Sequence, residues 1–326
     1  TNDAPVIGAS VLSGQVTELD DLAPGERTAI LTATGSVGFS DADVTDTHTA
    51  SFAPQAAGYR GTFSLGTPTT TAATTAGSVA WTFTIADGAL DDLAADDILV
   101  QSYDVTVDDG NGGTATETVT ITLGGDNDAP VIGASVLSGQ VTELPDLAPG
   151  ETTAVLTATG SVGFSDADVT DTHTASYAAQ GGGYRGTFSL GAPTTTAATT
   201  AGSVAWTFEV SDGALDDLAA GETLEQRYDV IIDDGNGGIA TETVVVTMEG
   251  TNDAPVIGTS VLSGEVAPSG APDVTATGFV GFSDVDVTDT HTASFTPQAA
   301  GYRGTFSLGA PTTCLLYTSD AADDLA

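Results

Sequence analysis

Short oxygen-bearing side chains recur along this chain at fixed intervals. Asn2-Asp3, Asn127-Asp128 and Asn252-Asp253 each open an Asn-Asp-Ala-Pro run, at offsets of 127 − 2 = 125 and 252 − 127 = 125. Asp41-Ala42-Asp43, Asp166-Ala167-Asp168 and Asp284-Val285-Asp286 form a second set. Asp109 and Asp234 each head an Asp-Gly-Asn-Gly-Gly run. Carboxylate, amide and backbone oxygens are hard donors, and Ca²⁺ takes about six to eight of them. Divalent cation binding is therefore the chemistry on offer at Asn127-Asp128, with Pro130 stiffening the junction behind them. The competing reading is a polar linker with ordinary turn aspartates. The Asp41 loop lacks the third acid, the glycine and the terminal glutamate of an EF-hand. The Asp-Gly-Asn-Gly-Gly runs do not match the glycine-rich nonapeptide of calcium-binding β-rolls, and read as hairpin turns.

The charge balance narrows the partners. Asp and Glu number 45 against five basic residues, all Arg, for a net charge of −40. Nucleic acid and anionic membrane surfaces are excluded, because phosphates would be repelled. With 40% hydrophobic residues the chain is no disordered acidic tail. Two carboxylates 4 Å apart repel by roughly 1 kcal/mol in water and about 4 kcal/mol near a protein surface, so clustered acids call for cations. A salt-adapted surface would instead spread its acids over whole faces.

Catalysis finds no support. No Ser sits in a nucleophile elbow. His48, His173 and His291 recur without Cys or a partner His, which is poor for zinc; they are expected to be structural strand residues. Arg60, Arg185 and Arg303 recur in Tyr-Arg-Gly-Thr and are expected in local ion pairs. The lone Cys314 rules out a disulfide framework. No apolar run reaches the length of about 18 residues that a membrane helix needs.

A period of 125 residues is a whole small domain. The expected organisation is a first copy over 1–125, a second over 126–250 and a truncated third over 251–313. The third copy is seven residues shorter in its first half, since 291 − 173 = 118 against 173 − 48 = 125. Residues 314–326 break with the repeat and resemble the translation of a sequencing adapter. The chain is expected to be a fragment of something longer.

Each copy reads as short strands parted by turn residues. In the first copy these are 15–18, 28–34, 37–39, 47–52, 61–65, 79–85, 103–107 and 114–123. Val79, Trp81, Phe83 and Ile85 alternate onto one face. Residues 89–97, Ala-Leu-Asp-Asp-Leu-Ala-Ala-Asp-Asp, are the one helical candidate. The expected fold is all-β: tandem antiparallel β-sandwich modules, immunoglobulin/cadherin-like.

Asn-Asp-Ala-Pro-Val at each boundary resembles the VCBS repeat family. So do Phe-Ser-Asp-Ala-Asp-Val-Thr-Asp-Thr-His-Thr, Tyr-Arg-Gly-Thr-Phe-Ser-Leu-Gly, the tryptophan strand and Tyr-Asp-Val-x-x-Asp-Asp-Gly-Asn-Gly-Gly. The resemblance spans 1–313. It implies cadherin-like modules of a large secreted or surface-attached bacterial adhesin of RTX type, exported by type I secretion. The implied role is non-enzymatic: a calcium-stiffened extender or adhesive segment, extracellular, with like modules or cell-surface polysaccharide as further partners. Its rivals are spacer modules of a secreted polysaccharide-active enzyme and carbohydrate-binding modules.

By the cadherin arrangement the resemblance also implies a Ca²⁺ ligand set. Glu18, Asp91 and Asp92 would come from the module before the junction. Asp126, Asn127 and Asp128 form the linker, and Asp166, Asp168 and Asp233 or Asp234 would come from the module after. The same places elsewhere hold Asn2, Asp3, Asp41 and Asp43, and then Glu143, Asn252, Asp253, Asp284 and Asp286. Ala129 stands where the cadherin linker carries a second Asn, so the number of ions per junction is left open.

Overall fold

A computed structural model describes residues 1–21, 23, 24, 26–70, 75–195, 200–267, 274–298 and 303–312. The expectations for 314–326 lie outside the described residues. The chain divides into two compact units. One comprises Thr1–Gln140, Thr157–Val210 and Glu225–Thr247; the other comprises Val141–Leu156, Ser211–Leu224 and Met248–Ala326.

In the first copy, two sheets face each other. The first sheet sets β1 (Val6–Ile7), β3 (Ile30–Ser40), β7 (Ala76–Ala86) and β5 (Thr62–Leu65) side by side, with β6 (Thr69–Thr70) also on β7. The second runs β2 (Ser13–Thr17), β9 (Thr114–Gly124), β8 (Ile98–Asp108) and β4 (Thr49–Pro54). Period-two alternation decides which side chains go in. Val79, Trp81, Phe83 and Ile85 are all buried, as are Tyr103, Val105 and Val107 opposite them. Phe63 stacks on Tyr103 at 4.2 Å between ring centroids, and the Trp81 Nε1 donates to the Val11 carbonyl at 2.7 Å. Both sheets thus hang on one aromatic cluster.

Two local expectations are corrected. The strands expected at 28–34 and 37–39 are one strand, β3. Gly35 does not turn the chain; it pairs with Trp81 across β7, and any Cβ there would run into the indole. The helical candidate is a 3-10 turn that starts earlier, Asp87–Ala89, followed by turns. Leu90 is fully buried and anchors it.

The expected antiparallel order also has one exception, because β2 pairs with β9 in parallel. A chain that enters a module at one end and leaves at the other sends β2, near its entry, and β9, at its exit, in the same direction. Placed side by side, they can only be parallel. The other pairings between strands described in the first copy are antiparallel, and the isolated bridge between Ala95 and Gly125 is parallel.

The second copy repeats the first with each strand shifted by 125. Its strands β10 to β18 are Val131–Ile132, Ser138–Thr142, Val155–Ser165, Thr174–Ala179, Thr187–Leu190, Thr194–Thr195, Ala201–Ser211, Thr223–Asp233 and Ile239–Glu249. Strand order is the same, and Trp206 is as buried as Trp81, at 1% exposure each. In the third copy the described strands are β19 (Val256–Ile257) and β20 (Phe282–Ser283), paired antiparallel. Phe306, the counterpart of Phe63 at 63 + 243, is 65% exposed against 5%. In copy 1 that ring packs against Trp81. Among the described residues no helix is long and apolar enough to cross a membrane.

Candidate metal centres at the module ends

Strand ends deliver the acids. Where β2 stops, the Glu18 N–H donates to the Gly124 carbonyl at 3.0 Å, so Glu18 sits where β9 passes into the linker. The Asp126 N–H then donates to Glu18 Oε2 at 3.0 Å. At the end of β7, buried Asp87 accepts the Leu19 N–H at 3.0 Å and ties the 3-10 turn to the same corner. The result is a group of Glu18, Asp91 and Asp128 with one carboxylate oxygen from each within 4.8 Å of the others. Loop residue Asp21 accepts the Ala129 N–H from outside at 3.2 Å.

The second module approaches the same linker through backbone hydrogen bonds. Asp168 Oδ2 accepts the Asp128 N–H at 2.8 Å, and Asp166 Oδ1 accepts the Asp168 N–H at 3.0 Å. His173 Nε2 donates to Asp166 Oδ2 at 2.8 Å while its ring lies against Phe164. Asn127 Nδ2 donates to Asp234 Oδ2 at 3.0 Å. Asp234 Oδ1 meanwhile accepts the N–H groups of Asn236, Gly237 and Gly238, which shapes the hairpin turn. Gly238 is required there: a Cβ would stand 2.7 Å from the Ala129 Cα.

Oxygens without partners collect at this place. Glu18 Oε1, Asp91 Oδ1, Asn127 Oδ1, Asp128 Oδ2, Asp168 Oδ1 and Asp171 Oδ2 are buried and accept no hydrogen bond. A buried polar group left unsatisfied costs about 1–3 kcal/mol, and more when charged. Carboxyl acidity responds accordingly. Burial, followed by the neighbouring Asp128, Asp91 and Asp87 charges, pushes Glu18 up to about 8. Burial raises Asp168 to about 7 and Asp128 to about 6, with Asp91 the next contributor for Asp128. Burial is likewise the main cause at Asp166, which is also raised.

The arrangement recurs. At the start of the chain Asp3 N–H donates to Asp43 Oδ2 at 2.7 Å, Asn2 Nδ2 donates to Asp109 Oδ2 at 2.9 Å, and His48 holds Asp41 at 3.0 Å. Asp41, Asp46 and Asp109 form another oxygen group. At the 250s, Glu143, Asp216 and Asp253 repeat the first group, and Asp253 N–H donates to Asp286 Oδ2 at 2.8 Å. Asp284 accepts from His291 and from the Asp286 N–H. Burial pushes Glu143 up to about 7 and Asp253 to about 6, and raises Asp286. Asn252 differs from Asn127: its amide donates to the Asp253 carbonyl at 2.8 Å.

Two expected ligands, Asp92 and Asp233, have their carboxylates engaged elsewhere. Asp92 pairs instead with Arg60, which holds its carboxyl below the usual range. Asp233 is exposed and accepts the Gly235 N–H of its own turn. Asp126 enters through its backbone N–H. The histidines stand just before β4 and β13 and brace Asp41 and Asp166, which corrects their reading as strand residues. Asp87 and Asp212, Asp21 and Asp146, and Glu26 and Glu151 were not expected. The available signal for Asp87 and Asp212 was an acid placed one residue after an alternating strand.

The donors fit a hard divalent cation. The groups Glu18/Asp91/Asp128 and Glu143/Asp216/Asp253 are all-carboxylate, and their linker members carry buried oxygens with no partner. No family model matches the chain, and no curated protein matches it. Among solved structures it is similar to protocadherin gamma B7 extracellular cadherin domains 1-4, with TM-score 0.36, 17% identity, and 86% of this chain and 60% of that chain covered. It is also similar to mouse cadherin-23 EC22-24, with TM-score 0.33, 16% identity, and 81% and 77% covered. A third similarity is to protocadherin gamma B2 extracellular cadherin domains 1-5, with TM-score 0.38, 16% identity, and 86% and 46% covered. The chain therefore spans less than two thirds of the first and third of these proteins.

Proposed function

We propose that this chain is a calcium-stiffened extender segment of a large secreted or surface-attached bacterial adhesin, with no enzymatic role. Its modules are the repeats 1–125, 126–250 and 251–313. One observation carries the reading. Acids from separate segments, Glu18 and Asp91 from one copy and Asp128 from the linker, bring their oxygens within 4.8 Å of one another in a buried place. Close carboxylate pairs cost about 1–4 kcal/mol each without a counter-charge. A bound Ca²⁺ supplies two positive charges and about six to eight coordination positions.

Glu18, Asp91, Asn127, Asp128 and Asp168 would hold it. Asp166, Asp234 and His173 position the linker and the second module around them. Glu18 and Asp91 belong to the copy before the linker and Asp168 to the copy after. Residues of both copies therefore share one ligand set, and a hinge becomes a fixed joint. Sites of this kind, with a Kd of about 10⁻⁴–10⁻³ M, fill at extracellular calcium levels.

Titration calorimetry of the full chain tests this. Calcium is expected to bind at millimolar or lower concentration, with Mg²⁺ much weaker. Asp128→Asn is expected to weaken the first junction more than tenfold, about 1.4 kcal/mol. No calcium heat, or an equal response to Mg²⁺, overturns the reading.

A further inference from the structure

The two joints share a frame but not a charge. Arg27 lies in the 3-10 turn Glu26–Thr28, just ahead of β3. Its counterpart, at 152 − 27 = 125, is the neutral Thr152.

Position 27 is held against the acids of the first joint. The Asp87 N–H donates to the Ala29 carbonyl at 3.0 Å, which ties the turn Asp87–Ala89 to the end of the turn that carries Arg27. Gly88 sits between them: a Cβ there would stand 3.3 Å from the Arg27 carbonyl oxygen and 3.5 Å from Asp91 Oδ1. Asp91 is a member of the Glu18/Asp91/Asp128 group. Arg27 Nε lies 3.4 Å from Glu26 Oε1, with the arginine side chain largely exposed and the glutamate side chain largely buried. A positive charge is thereby tethered beside the joint.

The second joint repeats the frame with no arginine at that place. The Asp212 N–H donates to the Ala154 carbonyl at 2.9 Å, and a Cβ on Gly213 would stand 3.0 Å from the Thr152 carbonyl oxygen. Glu151, beside Thr152, brings a carboxylate oxygen within 4.8 Å of those of Asp146 and Asp253. The linker acids respond to different surroundings. Asp128 is raised by burial and then by Asp91, Asp21 and Glu26, while Arg27 pulls it the other way. Asp253 is raised by burial and then by Asp286, Asp216, Glu151 and Asp146, each of them an acid.

We propose that Arg27 is a resident counter-charge that weakens calcium binding at the first joint, so that the Arg27/Thr152 difference gives the two joints different calcium thresholds. With the site empty, the guanidinium offsets part of the repulsion that Glu26 adds to Asp128. With the site filled, it opposes the divalent ion. Both effects lower affinity, and the first also steadies the calcium-free joint. An array with unequal joints stiffens stepwise along its length as calcium rises. Arg27 acts through space rather than as a ligand, so its influence falls as salt shortens the screening length.

This inference rests on the calcium reading of the joints, and the test separates the two. Calcium is titrated by calorimetry into the full chain carrying Asp253→Asn, which weakens the second joint and leaves the first to be read. Adding Arg27→Thr is expected to tighten binding about threefold at low ionic strength, and Arg27→Lys, which keeps the charge, to leave it unchanged. In NaCl at about 1 M, where the screening length is about 3 Å, the gain from Arg27→Thr is expected to vanish. In the reciprocal background, Asp128→Asn, Thr152→Arg is expected to loosen the second joint about threefold. Melting in chelator establishes that each variant folds. Calcium affinity unchanged by Arg27→Thr at low salt, or a gain that persists at high salt, overturns the counter-charge and leaves the calcium reading standing. A natural chain that binds no calcium overturns both.

Discussion

Asp166 and Asp168 are separated by one residue, Ala167, and do different work. Asp166 spends both oxygens inside its own module, one on the Asp168 N–H and one on His173. Asp168 gives one oxygen to the linker N–H and keeps the other buried and free of hydrogen bonds. The Asp-x-Asp spacing was legible in the sequence, but this division of labour was not. It depends on a histidine seven residues from Asp166 that reads as an ordinary strand residue.

His173→Phe keeps the ring against Phe164 and removes the donor. It is expected to lower calcium affinity about tenfold or more, with Gln, whose amide reaches the same oxygen, restoring most of it. An equal loss of melting temperature in chelator for both variants, with unchanged calcium affinity, would contradict that role.

The raised carboxyls give a second residue-scale prediction. Glu18, Glu143 and Asp168 have folded pKa values near 8, 7 and 7, above their ordinary 4.5, 4.5 and 3.8. Between those limits the folded, metal-free chain binds more protons than the unfolded chain, so its stability falls as pH rises. The melting temperature in metal-free buffer is expected to drop from pH 5 to pH 8, less steeply in Glu18→Gln. A flat or rising profile would contradict the burial of these acids.

At the scale of elements, the sequence was most readable where alternation is long. The strands around Trp81 and Tyr103 and the hairpin after Asp109 stand where period two and the Asp-Gly turn put them. It was least readable where a residue's reason lies across the sheet. Thr34-Gly35-Ser36 looks like a turn, yet Gly35 is where Trp81 packs. The acidic run after Ile85 looks helical, yet it is a turn held by one buried leucine and one buried aspartate. Trp81→Ala is expected to cost about 3–5 kcal/mol in the first copy, seen as a separate early melting transition. Loss of less than about 1 kcal/mol would mean that the two sheets do not depend on that side chain.

For the whole molecule, the charge of −40 acquires a location. The buried polar side chains are mostly carboxylates, and they belong to the loops and linkers at module ends: Glu18, Asp87, Asp128, Asp168, Asp212 and Asp253 among them. The 125-residue period, readable from the Asn-Asp-Ala-Pro runs at 2, 127 and 252, marks a tandem array, and Glu18, Asp128 and Asp168 lie buried at the joint between its first two copies. The central claim is that calcium at those joints holds successive modules in line. Small-angle X-ray scattering of the full chain, in chelator and then in millimolar Ca²⁺, measures it directly. The maximum dimension is expected to rise and the flexibility signature to fall with calcium, and Asp128→Ala and Asp168→Ala are each expected to blunt that change. Scattering that is identical with and without calcium, or that shifts equally in NaCl at matched ionic strength, would contradict it.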